Sequence, residues 1–334
     1  MFNENIDKQN LREIISDLPK QFAQALETVS VKISTETKKI IFCGLGGSAF
    51  PAELFQTFLD ATKTKFNAAL YVSRDYCLPH FVDNSWCGFF SSYSGNTEET
   101  LSALENAEKI GLSSIVIFAH GGKLKQIAAE KGYLLVEIPD FKQPRMSYGY
   151  FVGALIKIFQ NSNLLTADFD EITQSVQQCL AEQPAIEAQA RKLALSIKDK
   201  ISVVYSSALW KYIAMVWKIN FNENAKTPCF WNFFPELNHN EMVGFANLVD
   251  NYKAVILKDP ADHERNKKRM DIFTKIFDEK LKAEIIEMPA GAPFYKMIWT
   301  LWLGLWTSYH LALLNNVDPT PVDLVEEFKL RMSE

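Results

Sequence analysis

Cysteine is scarce and falls into no pattern. The 334 residues hold five: Cys43, Cys77, Cys87, Cys179 and Cys229. The number is odd and no two have CxxC spacing. A disulfide framework and a zinc ribbon are therefore not expected, and the thiols are read as reduced and mostly buried in a cytoplasmic protein. A basic surface is missing as well. Lys and Arg number 35 against 40 Asp and Glu, for a net charge of −5, and the basic residues are scattered. This argues against a nucleic-acid partner, and any anion site must be built from backbone N–H groups and hydroxyls. The five histidines are dispersed without metal-ligand spacing, so no metal is expected. The opening "MFNENIDKQN" lacks the basic and apolar regions of a secretory signal. There is no low-complexity tract.

Long apolar runs are absent, with one exception. "MIWTLWLGLWTSYHLALL", residues 297–314, contains no Asp, Glu, Lys or Arg. Its length would suffice to span a bilayer. Trp299, Trp302 and Trp306 share one helical face, whereas Thr307 and His310 suit lipid poorly. The segment also stands where a β/α alternation expects a helix. It is read as a helix buried on all sides, at a domain or subunit interface, and no membrane contact is expected.

What the chain does have is alternation. Apolar runs at 39–43, 68–73, 86–91, 113–118 and 133–138 predict strands, with helices predicted at 48–60, 97–110 and 122–131. Helical patterns follow at 146–161 and 168–197. The alternation then restarts, with strands predicted at 201–205, 252–257 and 283–288 and helices at 208–221, 262–279 and 293–315. A last amphipathic helix is predicted over 321–332. This is the signature of an α/β chain with two doubly wound parallel sheets in tandem. The division is placed at residue 160, giving domains 1–160 and 161–334.

In such sheets ligands bind beyond the carboxyl ends of the strands. Two loops there are unusual. "GLGGSAF" (44–50) follows "KIIFC", and "SYSGNTEE" (92–99) follows "WCGFFS". Glycines let backbone amides approach a ligand, and each following helix offers free N–H groups at its positive end. With the hydroxyls of Ser48, Ser92, Ser94 and Thr97, the pair forms a cradle suited to phosphate. The plainer reading is that Ser94, Asn96 and Thr97 make a turn and a helix N-cap. A rival is also open. Gly44 to Ala49 fits the dinucleotide pattern GxGxxG/A, and Ser73 and Arg74 in "VSRDY" would suit the 2′-phosphate of NADP.

The second half carries a dense polar block, "NFNENAKTPCFWNFFPELNHNEMVGF" (220–245), where the β/α pattern is interrupted. Glu223 lies between Asn222 and Asn224, and His239 between Asn238 and Asn240. Among aromatic residues a carboxylate can serve as a base. By spacing alone, the favoured reading of Glu223 is a solvated helix end and that of His239 a residue of a helix N-terminal turn.

Taken together, "GLGGSA", "SYSGNTEET", "NENAKTP", "PELNHNEMVGF" and "DPTPVDLVEEFK" resemble the bifunctional phosphoglucose/phosphomannose isomerase family. Its members carry two sugar-isomerase (SIS, flavodoxin-like) domains in tandem. The likeness runs in order from Gly44 to Lys329. It implies aldose–ketose isomerisation of glucose 6-phosphate, and of mannose 6-phosphate, to fructose 6-phosphate without a cofactor. It further implies that Gly47, Ser48, Ser92, Ser94 and Thr97 hold the phosphate and that Glu223 is the base. Arg145 in "QPRMSYGY" would stabilise a cis-enediol intermediate, and Thr320 would shape the space at C2. Ring opening falls to His239 or Lys329, with Arg331 a second basic residue nearby. The apolar 297–314 helix predicts a two-fold homodimer unless it is fully buried within one chain, and the likeness further implies that His239 reaches the neighbouring subunit's site. Two other classes stay open beside it. One is a non-catalytic sugar-phosphate sensor, which would keep the hydroxyl loops without needing Glu223 and His239. The other is the NADP-binding oxidoreductase.

Overall fold

A computed structural model describes residues 2–247 and 251–332. The chain divides into two compact units. One comprises Asp17–Gln178 with Ala292–Tyr295, the other Met1–Ser16, Cys179–Gly291 and Lys296–Glu334. The sequence reading places a single division at residue 160. By contacts, the first sixteen residues join the C-terminal sheet, and the division falls inside three helices.

The N-terminal unit begins within α1 (Leu11–Thr28) and continues through β1 (Lys39–Gly44), α2 (Phe50–Thr62), β2 (Ala69–Ser73) and β3 (Cys87–Ser91). It goes on through α3 (Glu98–Ile110), β4 (Ser114–Ala119), α4 (Gly122–Lys131), β5 (Leu134–Glu137) and α5 (Tyr148–Asn161), then enters α6 (Phe169–Ile197). Its five strands are all parallel, in the order β2-β1-β3-β4-β5. β1 and β3 are covered on both faces, which is why "IIFCG" and "CGFFS" are continuously apolar instead of alternating. On one face Phe42, Phe89 and Phe118 lie side by side, with Phe151 and Phe159 of α5 at 5.5 and 5.6 Å from Phe118 and Phe89. On the other, Ile41, Phe90 and Ile117 pack beneath Ala103 and Leu104 of α3 and Leu124 of α4. The β2–β3 connection has no helix; Val82 and Trp86 from that loop are buried in the same cluster.

The C-terminal unit holds β6 (Ile201–Ser207), α7 (Lys211–Glu223), β7 (Cys229–Phe234), α8 (Glu241–Gly244), β8 (Tyr252–Lys258), α9 (Glu264–Leu281) and β9 (Glu284–Glu287). Most of α10 (Pro293–Asn315) and all of α11 (Asp323–Met332) follow. Its parallel sheet has the order β7-β6-β8-β9. That is the N-terminal order with the last strand left out, so two doubly wound sheets stand in tandem, with a helix at the C-terminal end. Phe234, Phe245, Phe273 and Phe277 fill its core.

The aromatic segment lies in α10 and is buried throughout from Lys296 to Leu314. Its hydroxyls are satisfied locally: Thr300 and Thr307 donate to the carbonyls of Lys296 and Leu303 at 2.7 Å. The indole of Trp302 donates to Ile15 O at 2.7 Å, and that of Trp217 to Thr300 O at 2.9 Å. No helix of the described residues is long and apolar enough to cross a membrane. This burial is complete within one chain, so α10 does not itself call for a second subunit.

Besides the one-turn α8, two elements escaped the sequence reading. α1 carries Pro19 in its interior, which hides its amphipathic pattern. β7 lies inside the polar block between Pro228 and Pro235. It is apolar at five of its six positions, CFWNFF, but it is short and set between two prolines within a polar stretch, which masks it as a strand. The five thiols are all free; four are buried and Cys77 is exposed.

Candidate active site

In the 2-1-3-4-5 order the crevice opens where β1 and β3 diverge. Gly44 and Ser91 are register partners at the carboxyl ends of those strands. A Cβ on Gly44 would stand 2.9 Å from Ser91 O, so the two loops can leave the sheet side by side only with glycine there. The first loop makes a tight turn over Gly46–Ser48 and enters α2. Ser48 is buried, and its hydroxyl accepts from the N–H of Tyr93 at 2.9 Å, which joins the first loop to the second.

In the second loop the hydroxyls converge. Ser92 Oγ lies 2.7 Å from Thr97 Oγ1 and 3.3 Å from Ser94 Oγ, and it accepts from Gly95 N at 3.1 Å. Ser92 is buried, Thr97 half-buried and Ser94 exposed, so the cluster runs from the sheet to the surface. Thr97 occupies the N-cap position of α3 but makes no side-chain cap bond. The plain capping reading requires that bond. Instead, its hydroxyl turns toward Ser92.

The second loop is braced by "HGGK" after β4, a role the sequence reading did not assign. Gly95 (φ 71°) packs so closely that a Cβ would lie 1.8 Å from Gly121 O. Lys123 N donates to Asn96 Oδ1 at 3.0 Å, and Leu124 N to Gly95 O at 2.9 Å. Paired glycine signals on adjacent loops were the available clue.

Gly47 has a packing role of its own. A Cβ there would meet Arg145 N at 2.7 Å and Pro144 C at 2.8 Å. The segment after β5 thus presses its backbone against the first loop. Arg145 is almost fully buried, and its guanidinium donates to Gln143 Oε1 at 3.1 Å. The structure therefore gathers Gly47, Ser48, Ser92, Ser94, Thr97 and the Arg145 backbone at one edge of one sheet. Arg74, the group suited to a 2′-phosphate, is instead held in a two-pronged ion pair by the buried Glu53 of α2 at 2.5 and 2.8 Å. That pairing removes the support that the dinucleotide reading drew from it.

The remaining candidates belong to the C-terminal unit. Glu223 is the last residue of α7 and is half-buried. The loop after it is pinned to α10. Asn224 donates to Ser308 Oγ at 2.9 Å, and Asn315 to Ala225 O at 3.1 Å and to Thr227 Oγ1 at 2.9 Å. These bonds account for Asn224: it fixes the loop that follows Glu223.

His239 ends a short turn, Glu236–His239, and is exposed. Among the described residues none is hydrogen-bonded to its ring. The turn is anchored by Leu237, buried in the core, and by Glu241, which sequence reasoning passed over. Glu241 accepts from Tyr205 Oη at 2.5 Å and from the Asn232 amide. It binds the "NHNE" motif to β6 and β7.

Thr320 is fully buried. Lys329 and Arg331 lie on α11, exposed and paired with Glu326 and Glu327 within that helix. α11 buries none of its residues, and Leu324, Phe328 and Leu330 are 82%, 64% and 68% exposed.

Comparison with known proteins extends these observations over the whole chain. Residues 186–332 match the family model described as the bacterial phospho-glucose isomerase C-terminal SIS domain. A bifunctional phosphoglucose/phosphomannose isomerase of Caldicellulosiruptor bescii is 34% identical over 338 residues, covering 96% of this chain and 98% of the relative. The protein of the same name from Aquifex aeolicus is 35% identical over 298 residues, covering 88% and 90%. Among solved structures, a hypothetical protein of Thermus thermophilus superposes with a TM-score of 0.76 at 14% identity, covering 98% of this chain and 90% of that one. That likeness speaks for the fold alone. At a third of residues identical over nearly the full length of both chains, the relatives decide the family: the chain belongs to the bifunctional phosphoglucose/phosphomannose isomerases.

Proposed function

We propose that this protein is an aldose–ketose isomerase that interconverts glucose 6-phosphate and mannose 6-phosphate with fructose 6-phosphate, in the cytoplasm and without a cofactor. The observation that carries it is the hydroxyl cluster of Ser92, Ser94 and Thr97, left uncapped at the crevice of the first sheet. The sugar itself comes from the names of the relatives.

The reaction moves one proton between C1 and C2, and the substrate's own carbonyl takes up the electron pair. Phosphate in the cradle fixes the far end of the sugar, so binding energy remote from the reacting carbons orients them. His239 or Lys329 donates a proton to the ring oxygen and opens the ring. Glu223 removes the proton at C2 and returns it at C1. The Arg145 guanidinium stabilises the negative charge of the enediol between those steps. Because C2 loses its configuration in the enediol, a site with room there, shaped by Thr320, accepts both epimers.

The test is conversion of fructose 6-phosphate with and without added NADP, with products identified. Nucleotide-independent formation of glucose and mannose 6-phosphates is expected. Glu223→Gln should lower turnover and exchange of the substrate proton with deuterated solvent by about 10³-fold, within the range for a general base, while binding persists. Near-normal exchange in that variant would remove Glu223 from the role.

The assembly belongs to the same reading. The bare apolar face of α11 and the exposed His239 suit a two-fold dimer in which each site takes His239 from the partner. Glu223→Gln and His239→Ala proteins, mixed under subunit exchange, should then recover about a quarter of wild-type activity, since half the dimers are mixed and each holds one intact site. Proven exchange without recovered activity would return His239 to its own chain's site.

A further inference from the structure

The side chain between the cradle serines has no part in the scheme above, yet it joins three loops of the N-terminal unit's site. Tyr93 is 8% exposed. Its backbone N–H donates to Ser48 Oγ at 2.9 Å, and its carbonyl accepts from His120 N at 3.0 Å. Its ring stacks on the His120 imidazole, with centroids 5.3 Å apart and planes 14° off parallel. Its phenol oxygen accepts from Phe141 N at 2.7 Å and donates to Asp140 Oδ1 at 3.2 Å. His120 adds a second tie, with Nδ1 2.8 Å from Ile138 O. The loops after β3, β4 and β5 are thus fastened through one tyrosine.

What it fastens is the approach to Arg145. Immediately after Asp140 and Phe141 the chain turns at Lys142, a non-glycine residue at φ 65°. That left-handed conformation is disfavoured for a residue with a side chain and must be imposed by surroundings. Asp140 imposes it by accepting from both Lys142 N (2.8 Å) and Lys142 Nζ (2.7 Å). The bonds to Lys142 hold the Asp140 carboxyl down at about 2, so it stays an acceptor at any ordinary pH. Burial, with Asp140 beside it, pushes the Tyr93 phenol up to about 12, so it stays a donor. From Lys142 the chain runs through Gln143 and Pro144 to Arg145, whose backbone abuts Gly47. The far end is secured where Gln21 donates to Met146 O at 2.7 Å. The near end rests on Tyr93.

We infer that Tyr93 is a positioning residue that sets the spacing between the hydroxyl cradle and Arg145, through its hydroxyl bonds to Phe141 and Asp140. The inference rests on the isomerase reading, in which the cradle takes phosphate and Arg145 faces the reacting carbons. A substrate gripped at its phosphate is then presented to an arginine at fixed distance. Loosening the tie should spare binding and harm the step that needs the arginine.

Tyr93→Phe keeps the ring, the His120 stack and both backbone bonds, and removes only the hydroxyl. Expected is a fall of about tenfold in kcat for fructose 6-phosphate, with KM and the affinity for inorganic phosphate within about twofold. Added to Arg145→Lys, the change should cost little more than Arg145→Lys alone, because both act through one group. Asp140→Ala, which frees the Lys142 turn without touching the ring, should reproduce the split. A purely packing role predicts a lower melting temperature with kcat unchanged, and that result overturns the inference. Loss of phosphate affinity in step with kcat also overturns it, since the cradle itself would then have collapsed. A wild-type protein inactive on all three sugar phosphates takes down the isomerase reading and this inference with it, whereas an active wild type with a normal Tyr93→Phe variant rejects the inference alone.

Discussion

The two sheets share a strand order, so each has a crevice between its first and third strands, but the two crevices are furnished in opposite ways. At the end of β1 and β3 stand glycines and hydroxyls, with Ser92 within hydrogen-bonding reach of both Ser94 and Thr97. At the end of β6 and β8 stand Ser207, Trp210, Asp259 and Asp262, all buried, with Lys296 of α10. Lys296 Nζ is 2.7 Å from Asp259 Oδ1, which also accepts from Ala261 N at 2.9 Å. Trp210 donates to Asp259 Oδ2 at 3.2 Å, and Ser207 to Asp262 Oδ1 at 2.8 Å. An anion entering here would meet two carboxylates and one lysine already paired. Topology supplies a crevice twice, and residue chemistry reserves the first for a ligand and closes the second with the protein's own charges.

The sharpest way to break this contrast is to open the closed crevice. Lys296→Met leaves Asp259 buried without its cation. Removing one partner of a buried pair costs about 3–5 kcal/mol, so urea denaturation should show a loss of that size. Affinity of the first crevice for inorganic phosphate should hold. A loss below about 1 kcal/mol would mean that solvent reaches the pair and the crevice is not closed.

A smaller effect should come from the first crevice. Ser94→Ala or Thr97→Ala, each alone, removes one hydroxyl that we propose bonds a charged phosphate. Such bonds contribute about 1.5–3 kcal/mol, so calorimetry should show affinity for fructose 6-phosphate falling by about tenfold or more. Ser207→Ala, the matching change in the second crevice, should leave that affinity unaltered. Equal effects at both places would erase the distinction between the crevices.

The sequence makes the first crevice legible and the second nearly invisible, for a physical reason. A ligand cradle is built from contiguous residues on loops at strand ends, so "GLGGSA" and "SYSGNTEE" announce themselves. A crevice closed by the protein's own side chains is assembled from residues far apart in the chain, such as Trp210, Asp259 and Lys296, whose spacing means nothing until the chain folds. The same holds for β7 and α1. Central strands read as apolar runs because both faces are covered; β7, apolar at five of six positions, is hidden instead by the polar stretch and the prolines around it, and α1 hides its periodicity behind Pro19. "NENAK" and "LNHNE" gained meaning from the family likeness. What the structure adds is why Asn224 and Glu241 are there: Asn224 ties its loop to α10, and Glu241 ties its turn to the second sheet.

The finest test of the contrast is the pH response of the closed crevice. Burial, with the charge of Asp259 close by, raises the Asp262 carboxyl to about 6, against the opposing pull of the Ser207 hydrogen bond and of Lys296. An acid whose folded value lies above its unfolded value favours folding most when protonated. This contribution is therefore complete below the unfolded value near 4 and is lost as pH rises through about 6. Asp262→Asn keeps an oxygen for the Ser207 hydroxyl and abolishes the charge. At pH 8 it should stabilise the protein by on the order of 1 kcal/mol, and the gain should shrink as the wild-type carboxyl is protonated, vanishing below about pH 4. The first crevice contains no carboxylate among its converging groups, so Thr97→Ala should show no such pH-dependent change in stability. If Asp262→Asn destabilises the protein equally at pH 8 and pH 5, the carboxylate is fully compensated where it stands, and the second crevice is closed by satisfied pairing with no residual cost.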